Sequence, residues 1–362
     1  MLTAVVFLTI LMTAVLVHEF AHYLNARSVG VSVRAFSIGM GPVLWRRTWR
    51  GTEWRLSLLP LGGYVDLPGM AASQDEDGTL RHPDEGMATR SLPQKLWVLV
   101  GGVLANYALG TFLLAGAVTL EPGFRELLGG APVEVHGAQV VLVNDGSLAE
   151  SIGIRDGDVL LEVNELRDPT PAQVVETLGT AEGLRLVVVD ALGAEREIEI
   201  AWPPADLAPG ERPLLGIQLA PLDVEEVAYA TALGESFAFG VRMLPEMVVA
   251  FVRGFGSALT GGANEDVAGP VGMVSMVGQA AQVGIAPVLL LAALINFSLA
   301  VFNLLPIPGL DGGRMLLATV VAVRGRPFRP GQEEAFHFVG IMAVLALIVL
   351  ITVQELGGLL GG

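Results

Sequence analysis

The chain has 362 residues, 52% of them hydrophobic and only 16% charged, with a positive mean hydropathy; this is the composition of a membrane protein. It contains no cysteine, which excludes a disulfide framework, a thiolate metal site and a cysteine nucleophile. A net charge of -16 without a basic aromatic patch excludes nucleic acid as a partner, while 45 glycines and 21 prolines point to broken helices, turns and at least one small domain outside the membrane.

Residues 2–25 form an apolar run long enough to cross a hydrocarbon core of about 30 Å. No Lys or Arg precedes the run and no small-residue cleavage site follows it, so it reads as a retained span and not as a cleaved leader. Its inner end reads Val17-His18-Glu19-Phe20-Ala21-His22. On a helix, His18 and His22 project from one face and can share a metal ion, and Glu19 can reach a water on that ion without being a ligand. H-E-x-x-H is short enough to arise by chance in soluble helices. At the end of a charge-free span, however, a cluster of ionisable groups is costly in lipid unless it serves a function.

After Arg27 the pattern turns to short alternating segments. Residues 43–49 and 53–59 flank Arg50-Gly51 and predict a β-hairpin, followed by Leu61-Gly62-Gly63-Tyr64-Val65. Such a Gly-rich hairpin beside a membrane site can offer an edge strand to an extended peptide. Residues 73–90 read as a polar, acidic loop. The second span is expected at 95–120, with Asn106 in its middle, where a lone Asn is more often a packing hydrogen bond than a reacting group.

Residues 121–286 hold 8 Arg and Lys against 25 Asp and Glu, whereas 27–95 hold 9 against 7 and 314–329 hold four Arg and no acid. By the preference of basic loops for the inner side, the first and third loops face the cytoplasm and the acidic insert faces outward. Both chain ends are then extracytoplasmic, and four spans are expected. Within the insert, residues 131–201 read as short strands around one helix at 171–178, with closing strands at 184–190 and 195–202. The run from Asn144 through Gly153-Ile154 to Gly157-Asp158-Val159-Leu160 resembles the core of a bacterial PDZ domain, present once. Residues 227–259 read as an amphipathic helix lying on the outer surface or against the bundle.

The third span, 287–305, runs into Asn303-Leu304-Leu305-Pro306-Ile307-Pro308-Gly309-Leu310-Asp311-Gly312-Gly313. Two prolines and three glycines break the helix there, and broken backbone at membrane depth is tolerated where it lines a polar cavity. Two histidines leave a catalytic tetrahedral ion one protein ligand short. Asp311, a lone acid at the depth of His18 and His22, is a better third ligand than His82 or His136 in soluble loops or His337 at the start of the last span. That fourth span is expected at 336–356. The segments are thus 1–30 (first span), 31–94 (hairpin and loop), 95–120 (second span), 121–220 (PDZ-like domain), 221–286 (amphipathic linker), 287–313 (third span), 314–335 (cytoplasmic loop) and 336–356.

These motifs, with Pro60 to Val65, Gly101-Gly102-Val103-Leu104-Ala105-Asn106 and Gly269-Pro270-Val271-Gly272, occur in the order found in the RseP-like branch of the site-2 protease family, which the chain resembles over most of its length. The resemblance implies a polytopic α-helical membrane protein with four transmembrane helices, a cytoplasmic-side membrane-associated β-hairpin and an inserted extracytoplasmic PDZ-like α+β domain, in a bacterial cytoplasmic membrane. It implies zinc (Zn2+) on His18, His22 and Asp311, Glu19 as general base, and substrate contacts from Asn303, Gly62, Gly63 and Asn106. The expected activity is cleavage of transmembrane segments of single-span proteins in the lipid bilayer, such as anti-sigma factors or remnant signal peptides. Peptide C-termini or trimmed substrate ends would engage the PDZ-like domain. The best-known members carry two PDZ modules, so two-module filtering is not expected here. A membrane metal transporter and an inactive PDZ-bearing scaffold are the alternatives; a transporter rarely needs a glutamate beside the histidine or an external peptide-binding module, and the intact Glu19 argues against the scaffold.

Overall fold

The computed structural model describes residues 2–70, 73–74, 80–81, 85–130, 135–190, 193–204, 214–224, 226–260 and 269–360. The chain divides into two compact units, 1–121 with 228–362, and 122–227.

In the first unit, α1 (Leu2–Ser28) ends where Gly30, at φ +74°, turns the chain and Val31 N–H returns to the Ala26 carbonyl. The helix α2 (Leu92–Leu120) starts on a capping box between Ser91 and Gln94, with Pro93 in its first turn, and stops before Pro122. Among the described residues four helices are long and apolar enough to cross a membrane: α1, α2, α8 (Ile285–Leu304) and α10 (Gln332–Leu360). The chain is a polytopic membrane protein. α2 is the helix on which the others assemble, touching α1, α8, α6 (Tyr229–Thr260) and α9 (Asp311–Arg324). Glycines make those approaches close: a Cβ on Gly110 would sit 3.0 Å from Phe297 of α8, and one on Gly240 of α6 would sit 2.8 Å from the Tyr107 hydroxyl. Tyr107 and Tyr229 hydroxyls donate across this seam to the Phe237 and Phe112 carbonyls, so α6 lies along α2.

Three segments differ from the expectation. Within 314–335, residues 314–324 are helical as part of α9, because Arg314 to Arg324 is an amphipathic run that Gly325 closes in the left-handed conformation. The linker 221–286 contains a second helix, α7 (Pro270–Val283), opened by the Gly269-Pro270 pair and packed on α1, α8 and α10. The third span ends at Leu304, and Asp311 belongs to the helix that follows. Most of 71–84, including His82, lies outside the described residues.

β1 (Ala35–Trp49) and β2 (Thr52–Asp66) form a two-stranded antiparallel sheet around Arg50-Gly51, both at positive φ. The strands fold back on themselves. Phe36 pairs with both Trp54 and Val65, and Ser37 with both Arg55 and Tyr64, so residues 35–38 are central and residues 63–66 form an outer edge. Beyond these strands, β3 (Ser73–Gln74) pairs with β4 (Leu80–Arg81).

In the second unit, after the single turn α3 (Phe124–Leu127), an antiparallel sheet has the order β10-β5-β6-β8-β9, with β7 (Leu166–Arg167) paired to β6. Its strands are β5 (Val135–Val143), β6 (Val159–Val163), β8 (Leu184–Val189), β9 (Glu195–Ile200) and β10 (Ile217–Val224). α4 (Leu148–Ser151) is capped by Ser147, and α5 (Pro171–Thr180) by a Thr170/Gln173 capping box. Along β9 the glutamates alternate with Ile198 and Ile200, which pack on a core containing Val140, Leu160, Val174, Leu186 and Trp202. Strand β10 extends the domain beyond the expected boundary at 220; its alternation had no turn-bounded partner nearby in the sequence to reveal it. Asp158 is buried and accepts from Arg155 N–H and from the Arg196 guanidinium, at 3.0 and 2.8 Å, which fixes the Gly157-Asp158 turn.

Candidate functional site

One turn of α1 brings the His18 and His22 rings edge-to-face, 4.7 Å between centroids, with their Nε2 atoms 3.1 Å apart. Asp311 Oδ2 is 3.0 Å from His18 Nε2 and 3.1 Å from His22 Nε2. The three atoms make a nearly equilateral triangle, formed by residues up to 293 apart in number. Among the described residues this is the one group of three His, Asp or Glu whose ligand atoms converge so closely. An ion bound tetrahedrally at about 2.0–2.1 Å holds its ligands roughly 3.3 Å apart, so the triangle is one slightly compressed face of such a site, with the opposite vertex left for water.

The chemistry of the donors fits as well. His22 Nδ1–H donates to the Val98 carbonyl of α2 at 2.8 Å, which leaves its Nε2 lone pair aimed into the triangle. His18 Nδ1 faces the Asn106 amide at 3.5 Å. Asn106 is 1% exposed and its Oδ1 has no partner. A half-turn of that amide lets Oδ1 accept His18 Nδ1–H, which satisfies the buried oxygen and again frees Nε2 for a metal. Asn106 therefore sits behind His18, on the side away from the triangle's open face. Gly102, which the sequence shows only as part of the Gly101 to Asn106 motif and not as a site residue, has no side chain because the His18 ring fills that space.

Asp311 is the first residue of α9, where a carboxylate suits the helix dipole. Gly312 and Gly313 are buried, and a Cβ on either would collide with the Leu304, Leu305 or Ile307 carbonyls; the glycine pair lets α9 start directly beneath the broken end of α8.

Glu19 lies against the outer strand of the hairpin. A Cβ on Gly63 would be 3.7 Å from Glu19 Cγ. Gly62 is at φ +83°, beside the flexible end of Met40. Arg55 donates to Glu53 at 2.9 Å and to the Tyr64 hydroxyl at 2.7 Å, bracing the strand that carries Gly63; the same guanidinium holds the Glu53 carboxyl below the usual carboxylate range. Asn303 donates to the Leu299 carbonyl of its own helix at 3.0 Å and so braces the end of α8. His136 lies on β5 of the other unit.

The structure thus brings His18, Glu19, His22, Asp311, Asn106 and Gly63 together. The chain matches the model of peptidase family M50 over residues 6–347. An Agrobacterium fabrum protein named as a candidate zinc metalloprotease is 32% identical, with 98% of this chain and 96% of that protein aligned. A Nostoc protein named in the same way is 31% identical over 96% of this chain and 94% of its own length. The zinc metalloprotease RasP of Shouchella clausii is 24% identical over 99% of both chains. A family match across nearly the whole length, on a chain that gathers two histidines, an aspartate and a free glutamate, makes this protein a member of peptidase family M50.

Proposed function

We propose that the chain is a zinc-dependent peptidase that hydrolyses transmembrane segments of single-span proteins within a bacterial cytoplasmic membrane. The observation that carries this reading is the adjacency of Glu19, between His18 and His22 on α1, to both the ligand triangle and the outer hairpin strand at residues 63–66. His18, His22 and Asp311 would hold the zinc. When bound, zinc supplies a Lewis acid that acidifies water and polarises a peptide carbonyl. Glu19 takes the proton of the attacking water and delivers it to the leaving amine, as a positioned general base and acid. A helical substrate hides its carbonyls, so it must unwind locally. Pairing with residues 63–66, where Gly62 and Gly63 keep the edge clear, replaces the backbone hydrogen bonds it loses. Asn303 and Asn106 serve this site by bracing α8 and His18.

The basic hairpin side and the third loop face the cytoplasm, and both termini and the unit 122–227 lie outside. That unit is read as a single PDZ-like module that receives or excludes trimmed substrate ends. Glu19→Gln tests the proposal: purified in detergent it should keep its zinc and lose about 10²- to 10⁴-fold in cleavage of a model transmembrane substrate. Undiminished cleavage rejects the mechanism; zinc flux into proteoliposomes without any cleavage by the parent chain would replace it with transport.

A further inference from the structure

Asp311 is delivered to the triangle by the turn Leu305–Leu310, and a helix that supplies no ligand holds that turn. His337, near the start of α10, is half-buried, and its Nδ1 accepts the Gly309 N–H at 2.9 Å. An imidazole that accepts at Nδ1 carries its proton on Nε2. Gly309 stands at φ +95°, a conformation suited to glycine, and a Cβ on it would lie 2.7 Å from Ile341 Cγ1. A Cβ on Gly340 would collide with the Pro308 carbonyl. His337, Gly340 and Ile341 are spaced at i, i+3 and i+4, so one face of α10 lies on the turn. The turn's internal support is slight: Ile307 N–H to the Leu305 carbonyl at 2.7 Å and Leu310 N–H to the Ile307 carbonyl at 3.2 Å. The Gly309 N–H would otherwise be an unpaired donor two residues from the ligand.

We propose that His337 is a positioning residue of the metal centre, its Nδ1 fixing through Gly309 the turn from which Asp311 enters the triangle. The inference rests on the reading of Asp311 as a zinc ligand. It makes α10 part of the centre's outer support, in the way that groups behind a ligand set its orientation and affinity. In Asn the side-chain Oδ1 stands where the imidazole Nδ1 stands, so Asn at 337 retains the acceptor and Leu removes it.

The test is zinc affinity of the full-length protein in detergent, measured by chelator competition, for the parent, His337→Leu, His337→Asn and Asp311→Ala. His337→Leu is expected to bind zinc about tenfold more weakly, and His337→Asn close to the parent. Equal affinity in all three folded chains, or equal loss in Leu and Asn, overturns the inference. If His337→Leu does not fold, His337→Phe replaces it; failure of both marks His337 as a residue of α10 packing alone and also overturns it. Asp311→Ala separates the two claims. If it retains zinc, the ligand assignment is wrong; if it loses zinc while His337→Leu keeps it, only the role of His337 falls.

Discussion

Gly102 of α2 faces the imidazole of His18 so closely that an added Cβ would stand 2.5 Å from Cε1, 2.6 Å from Nδ1 and 2.7 Å from Nε2. The ring has no free direction, since Asn106 stands behind it and His22 and Asp311 in front. Gly102→Ala should therefore displace His18 from the triangle. A misplacement of about 1 Å at a reacting centre costs on the order of 10²-fold in rate. Cleavage should fall by that order with zinc content reduced; parent-like zinc content and cleavage would refute the packing argument.

Metal removal should be reversible. Without an ion, an imidazole Nε2–H can donate to Asp311 Oδ2 across the same 3.0–3.1 Å, which holds the three side chains together. Dialysis against a chelator is expected to abolish cleavage, and zinc to restore it, whereas magnesium, which favours octahedral oxygen sites, should not. Restoration by magnesium alone would point to a different ligand set.

The outer hairpin strand is predicted to set substrate engagement. A side chain at Gly63 meets the Ser37 carbonyl 2.8 Å from its Cβ, so Gly63→Val must displace the strand that runs beside Glu19. Zinc content should be unchanged and cleavage of a transmembrane substrate reduced about tenfold or more, roughly the loss of one or two hydrogen bonds. An unchanged rate would remove residues 63–66 from the substrate path.

Glu355 near the end of α10 accepts three backbone N–H groups at the start of α7: Gly269 at 2.7 Å, Val271 at 3.1 Å and Gly272 at 3.1 Å. It caps a helix to which it does not belong, with its charge at the positive end of the dipole. Glu355→Ala should destabilise the folded protein by about 2–3 kcal/mol and Glu355→Gln by less, since an amide oxygen still accepts. Thermal unfolding in detergent measures both, and equal melting of parent and Ala variant would contradict the cap.

His18, Glu19, His22 and Asp311 were legible in the sequence because polar groups in apolar runs carry their own signal, and helical spacing converts it into geometry. The spans were legible for the same reason. Gly102 was not, since what it must avoid is a ring 84 positions earlier that only packing brings near. The same holds for the order of strands in the hairpin: alternation predicts β1 and β2, while the double pairing of Phe36 with Trp54 and Val65 is a tertiary event. α9 was obscured by the glycine pair in its first turn, which reads as a breaker and in fact permits close approach. The Gly269-Pro270 start of α7 had no visible partner because Glu355 lies in the last helix.

His22 and Asp311 meet across 289 positions of chain. At a synthesis rate of about 5–20 residues per second, roughly 15 to 60 s separate the emergence of the two side chains. On the proposed assignment, the first helix carries a base and two ligands without the third throughout that interval, and the nascent protein would be inert toward its neighbours in the membrane. Chains halted on the ribosome before residue 311 should accordingly bind zinc weakly and cut nothing, a check that pulse-labelled truncations provide.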